Sequence, residues 1–341
     1  MHKLSGGKLL NEKGYLNEAG WATSLVKEYN RKDIKANGLR IKEWDYYIVS
    51  NGKFALALTI DDNSYMSLGS VSFIDFEKPA YTTKSVMHLF SNGRVGLPST
   101  LEEGDVHYKD DVISIDFYKT KDTRRLVCTY VNFKDGMPLS CDVTLSDFPK
   151  DYMVIATPWK NKKAFYYNAK VNCMTAQGWV AIGSQQYNFD KKDSLGTLDW
   201  GRGVWTYKNT WYWGSLQTRL DDGKTFGWNI GYGFGDTSNA SEDMLFYDGV
   251  AHKLGRTTFH IPQKDGKDDF MSPWTFTCDD NRFYMEFTPI IDRFDNTDLL
   301  ILCSKQYQVF GKFNGWAILD DGSKIQVKDK IGFAEKVFNK W

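Results

Sequence analysis

Gly196-Thr197-Leu198-Asp199-Trp200-Gly201-Arg202-Gly203-Val204-Trp205 has the same skeleton as the last ten residues, Gly332-Phe333-Ala334-Glu335-Lys336-Val337-Phe338-Asn339-Lys340-Trp341. In each stretch an acid follows the glycine by three residues and a tryptophan follows the acid by six. A Gly-Trp pair precedes both glycines, Gly178-Trp179 by 18 residues and Gly315-Trp316 by 17. Self-similarity of this kind marks a repeated structural unit. It predicts a duplicated β module, each copy closing on an acid-bearing strand. The expected domains are residues 1–208, carrying an N-terminal extension, and residues 209–341.

Outward from the repeat, the punctuation is that of hairpins. Asp-Gly and Asn-Gly dipeptides recur along the chain, for example Asp222-Gly223, Asp321-Gly322, Asn51-Gly52 and Asn92-Gly93. Both tolerate the positive φ of tight turns. Between them run short stretches of period-two alternation, as in Trp211–Leu220 and Phe226–Gly233, where Asn229 stands among glycines on the face opposite Phe226 and Trp228. Many short alternating strands predict an all-β chain of two tandem antiparallel barrels or sandwiches with few short helices. Glu18–Tyr29 is the best helix candidate.

Composition excludes several classes of function. The 43 basic and 43 acidic residues of the 341 balance, so nothing draws the chain to nucleic acid or to an anionic membrane. There is no apolar run of membrane-spanning length, and residues 1–17 lack a signal-peptide core. Five scattered cysteines without a Cys-x-x-Cys pair fit reduced thiols in a cytoplasmic protein. Five dispersed histidines show no ligand spacing, so neither a metal nor another cofactor is expected. Gly231-Tyr232-Gly233-Phe234-Gly235-Asp236 lies in a β-meander rather than opening a helix, which argues against a phosphate loop.

Chemistry concentrates around Asp199. On an extended strand Asp199, Gly201, Gly203 and Trp205 share one face, and Trp200, Arg202 and Val204 the other. A carboxyl in an aromatic, water-poor pocket is a proton donor near neutrality; alternatively Asp199 pairs with a buried arginine and ties strands together. Trp200, Trp205, Tyr207, Trp211 and Trp213 are candidate cavity walls. Tyr166, Asn168, Lys170 and Asn172 share a polar face that looks either into a cavity or to solvent. Tyr232, Asp236, Asn239 and Glu242 are candidates for a barrel mouth. Glu286 and Arg293 read as a structural pair.

Leu198–Trp205, Gly231–Asp236, Met244–Gly249, Glu43-Trp44-Asp45-Tyr46-Tyr47, Pro273-Trp274 and the closing Gly332–Trp341 resemble the bacterial family known as domain of unknown function 2804. The likeness runs over nearly the whole chain and implies no activity. More distantly the doubled architecture looks like the lipocalin-like superfamily of carotenoid hydratases, tocopherol cyclases and some Diels–Alder cyclases. That likeness implies two barrel-like domains acting on apolar substrates without metal or nucleotide. Asp199-Trp200-Gly201 matches the acid-Trp-Gly stretch of that superfamily, without the basic residue often found between acid and tryptophan. Three functions fit. The first is a cofactor-independent lyase, hydratase or isomerase acting on a largely apolar small molecule in a barrel cavity near the domain junction. In it Asp199 is acid or base, Arg202 orients it, and Tyr232 or Glu335 is a second proton relay. The second is a non-catalytic carrier of a hydrophobic ligand, and the third binds or modifies carbohydrate.

Overall fold

A computed structural model describes residues 1–299 and 302–340; Trp341, which completes the second repeat, lies outside the described residues. The chain folds into two large antiparallel sheets, each curled on itself. The first has thirteen strands. Its main path runs Ala80–Leu89, Met66–Asp75, Phe54–Asp62, Ile41–Ser50, Leu195–Val204, Phe165–Ile182, Met137–Ser146, Arg124–Lys134, Ile113–Lys119, Val106–Lys109. Gly69 lets this curl close: a Cβ there would stand 2.4 Å from a ring carbon of Tyr108, on the last strand of that path.

The second sheet has nine strands, in the order Val250–Lys253, Met244–Tyr247, Thr225–Tyr232, Lys208–Arg219, Lys324–Lys340, Leu302–Ile318, Phe283–Leu299, Trp274–Cys278, Thr257–His260. Each curl is filled with its own core. In the first, Tyr47, Phe117, Phe165, Tyr167 and Trp200 are buried; in the second, Phe226, Trp228, Trp274 and Phe313.

The repeat has a physical form. Leu195–Val204 lies between Phe165–Ile182 and Ile41–Ser50, and Lys324–Lys340 lies between Leu302–Ile318 and Lys208–Arg219. Gly178 and Gly315 occupy matching places on the long bulged neighbours, with φ of 147° and 154°. A Cβ at either would fall 2.1 and 2.2 Å from a carbonyl oxygen of the next strand, of Asp142 and Tyr284 respectively. Only glycine fits such a backbone approach.

Two expectations require correction. Glu18–Tyr29 is not a helix. Gly20–Ala22 and Lys27–Glu28 are short strands, with Trp21 donating its amide to the His2 carbonyl at 3.0 Å and pairing with Ile155. Here pairing with distant segments overrides a weak local pattern. The helical residues form two short 3₁₀ turns, Arg31–Asp33 and Gly38–Arg40, capped by Asn30 and Asn37. Glu286 and Arg293 do not pair. Glu286 is exposed and accepts from the Tyr284 hydroxyl at 3.2 Å, while a bulge between Pro289 and Ile291 shifts the strand before Arg293. Among the described residues no helix is long and apolar enough to cross a membrane.

Candidate functional site in the junction between the sheets

Strand alternation gives each sheet two faces, one toward its own core and one toward the other sheet. On the junction face of the first sheet a row crosses six strands: Lys170, Asp199, Tyr46, Thr59, Ser70, Ser85. On the second sheet the corresponding row is Arg293, Gln308, Glu335, Trp213. Asp199 and Glu335 therefore hold matching places in the two copies, and both line one cavity of about 830 Å³ between the sheets. The hollow lies between the two curls rather than inside either of them.

Its floor is aromatic. Trp205 packs edge-on against Trp44, Trp211 and Phe234 at centroid separations of 5.3, 5.8 and 4.7 Å. Trp44 also stacks on Tyr166 at 6.1 Å. Trp44 can lie flat there because Gly201 has no side chain: a Cβ at 201 would stand 2.0 Å from a carbon of the indole. We expect Gly201→Ala to destabilise the fold by about 1–3 kcal/mol, as overpacking does. Urea denaturation measures this, and adding Trp44→Ala should recover part of the loss. An additive double variant would disprove the contact.

The polar groups rise from this floor. Lys170 Nζ is 2.8 Å from Asp199 Oδ2 and 3.9 Å from the Trp213 ring centroid, so it reaches across the junction. Asn168 donates to Asp199 Oδ1 at 2.7 Å. Asp199 thus pairs with a lysine, not an arginine. Glu335 accepts from Trp211 Nε1 at 3.1 Å and from Gln308 Nε2 at 3.0 Å. Glu242 sits on the loop before Met244–Tyr247, held by Asn229, which donates to the Glu242 carbonyl at 3.0 Å and accepts from Trp213 Nε1 at 2.7 Å.

Burial dominates the electrostatics. Glu242 is pushed up to about 7 by desolvation, with Lys170 pulling against it. Glu335 is also pushed up to about 7 by burial, despite the donors Trp211 and Gln308 and the nearby cation Lys170. The Tyr166 phenol is raised well above its usual range, first by burial and then by Glu242. A buried carboxyl with a pKa near neutrality can donate or accept a proton at working pH.

Among the residues expected from sequence, Lys170, Asp199, Glu242, Glu335, Trp205, Trp211, Trp213 and Tyr232 line this one cavity. The Tyr232 hydroxyl accepts the Phe259 amide at 3.3 Å and keeps its own proton to donate. The others stand elsewhere. Trp200 and Arg202 face the first core, with the Arg202 guanidinium 4.3 Å from the Trp200 ring centroid and 3.0 Å from Asp45. Asn172 ties the sheets together by donating to Ser215 Oγ at 2.7 Å, and Asn229 supports from behind. Asp236 is exposed and accepts the Ser238 amide, while Tyr207 is 46% exposed. Tyr46 and Gln308 line the cavity without standing among the residues expected from sequence, and Arg293, expected to pair with Glu286, lines it as well. Cys278, Asp279 and Asp280 bring potential metal-ligand atoms within 4.8 Å, but both carboxylates already accept backbone amides of a surface turn.

The chain belongs to the family described as domain of unknown function (DUF2804), which matches residues 2–341. No curated protein sequence matches it significantly. Among solved structures it is similar to a candidate AttH protein from Nitrosomonas europaea. The TM-score is 0.56 at 11% identity, over 92% of this chain and 98% of that one. It is also similar to kievitone hydratase from Nectria haematococca, with a TM-score of 0.51 at 10% identity over 95% and 97% of the two chains. CghA, solved with Sch210972, gives 0.50 at 8% identity, covering 99% and 97%. At these identities the likeness shows the fold: two tandem lipocalin-like domains.

Proposed function

We propose that this member of the DUF2804 family is a lyase, hydratase or isomerase that moves protons on a largely apolar small molecule held between its two sheets. One observation carries the reading. Two buried carboxyls, Glu242 and Glu335, titrate near neutrality in an aromatic cavity beside a fixed Lys170–Asp199 ion pair. A hydratase among proteins of the same fold is consistent with it, as analogy only.

The two carboxyls have different surroundings. Trp211 and Gln308 already aim N–H groups at both Glu335 oxygens, which favours its anion, so Glu335 is the proton acceptor. Glu242 is buried beside two further carboxylates, Asp199 and Asp243, which favour its acid form against the pull of Lys170, so Glu242 is the donor. Asp199, engaged by Lys170 and Asn168, contributes a fixed charge that steadies the ammonium over Trp213. An apolar substrate lying on Trp205 and Trp211 would present its reacting carbons to these groups.

The test begins with native mass spectrometry of protein purified from its own host, to find a co-purifying small molecule. That molecule is then incubated with wild type, Glu242→Gln and Glu335→Gln. Each substitution should lower turnover roughly 10²–10⁴-fold, the contribution of one positioned acid or base, with melting at pH 4.5 little changed. A molecule recovered chemically unchanged from the wild type would replace this reading with that of a hydrophobic-ligand carrier.

A further inference from the structure

Arg293 is a cation in the cavity wall without an ion-pair partner among the described residues, its charge reaching Glu335 and Tyr46 only at longer range. Among the described residues its one hydrogen bond runs from Nη1 to Ser72 Oγ at 3.0 Å. Among the described residues no carboxylate lies within ion-pair distance of it, whereas Lys170 in the same cavity is matched by Asp199. The adjacent Asp292 does not serve as its partner: that carboxyl is perturbed by burial alone and lies in a separate surface depression. Asp295, two residues on, is exposed at the cavity rim. A guanidinium in a partly dry site, with most of its donors uncommitted, matches a planar oxyanion in two-pronged fashion.

On the facing sheet Arg293 meets a row of hydroxyls. Ser72 lies 2.8 Å from Thr83 and Ser70 accepts from Ser85 at 2.9 Å, both oxygen to oxygen across adjacent strands. These hydroxyls form a polar ladder leading from Arg293 along one wall of the cavity. Gln308 separates Arg293 from Glu335 by one strand on either side, so the cation and the proton-transfer groups stand at different stations of one row.

We propose that the cavity selects an apolar carboxylic acid, whose carboxylate is held by Arg293 and Ser72 while its hydrocarbon body lies on the tryptophans toward Glu335. This rests on the apolar-ligand reading above and names the class of ligand. Quenching of the protein's tryptophan fluorescence by cis-parinaric acid and by its methyl ester tests it. The wild type should bind the acid roughly 10- to 100-fold more tightly than the ester, the span of one charge-assisted contact. Arg293→Met should erase that preference with ester affinity kept, and Arg293→Lys should keep part of it. Equal affinity of the wild type for acid and ester overturns the carboxylate site and leaves the apolar cavity standing. Binding of neither probe overturns both. The wild-type comparison needs no variant, so a poorly folding Arg293→Met does not blunt it.

Discussion

Asp45→Ala should destabilise the protein by about 3–5 kcal/mol, the cost of stripping the partner from buried charges. Asp45 is fully buried, and its carboxylate meets Lys119 Nζ at 2.9 Å and Arg202 Nη2 at 3.0 Å, with all three side chains sealed from solvent. Burial alone would raise the carboxyl; Lys119 and Arg202 together outweigh it and hold it below the usual carboxylate range. Lys119, in turn, is lowered by its own desolvation. Removing the anion leaves an ammonium and a guanidinium facing each other in the core. Arg202 cannot swing away, because its remaining donors go to the carbonyls of Trp44, Gly201 and Pro98. Equilibrium urea unfolding measures the loss. A companion Asp45→Ala/Lys119→Met variant should regain part of it by removing one unpaired charge. A drop of less than 1 kcal/mol in the single variant would show that the triad is not structural.

That triad also explains what the sequence could and could not reveal around Asp199. Period two correctly places Asp199, Gly201 and Gly203 on one face and Trp200 and Arg202 on the other. Which acid Arg202 meets depends on a strand 157 residues away, and alternation within one strand carries no information about partners. The nearest acid in sequence, Asp199, was therefore a natural but mistaken neighbour for it.

The repeat extends beyond the two acid-bearing strands. It named Glu335 as the counterpart of Asp199. Carried backward from Gly315, as Lys170 lies behind Gly178, it points within one residue to Gln308. Trp44 and Tyr46 were likewise visible, since alternation in Glu43–Tyr47 separates them from Glu43, Asp45 and Tyr47. What no composition could decide was the location of the hollow. Sixteen per cent aromatic residues suit a lined barrel or a packed one. Here the rings Trp200, Trp228 and Trp274 fill the two curls, while Trp44, Trp205, Trp211 and Trp213 surround the space between them. The duplication places two acid-bearing strands mid-sheet, and docking the two sheets turns their outer faces into one site that neither copy forms alone.

The same two carboxyls that suit the site for proton transfer make stability depend on pH, with a defined sign. Glu242 and Glu335 rise from 4.5 to about 7 on folding, so between those values the folded state binds protons that the unfolded chain has lost. Their contribution is fully present below about pH 4.5 and disappears as pH climbs through 7. Each shift corresponds to roughly 3 kcal/mol across that window, reduced to the extent that the two groups share one field. Asp61 and Asp243 are raised by burial as well, so the wild-type curve alone cannot isolate the pair. The informative quantity is the difference between wild type and Glu242→Gln/Glu335→Gln, followed by thermal melting from pH 4.5 to 9. The double variant should gain on the wild type steadily between pH 5 and 8 and hold a constant lead above that. Parallel curves would mean that both side chains ionise at ordinary values in the folded protein, and the proton donor and acceptor assigned to the cavity would fall together. If the curves diverge as expected, turnover should weaken over the same alkaline range, because Glu242 then has no proton to give and its new charge stands beside Asp199.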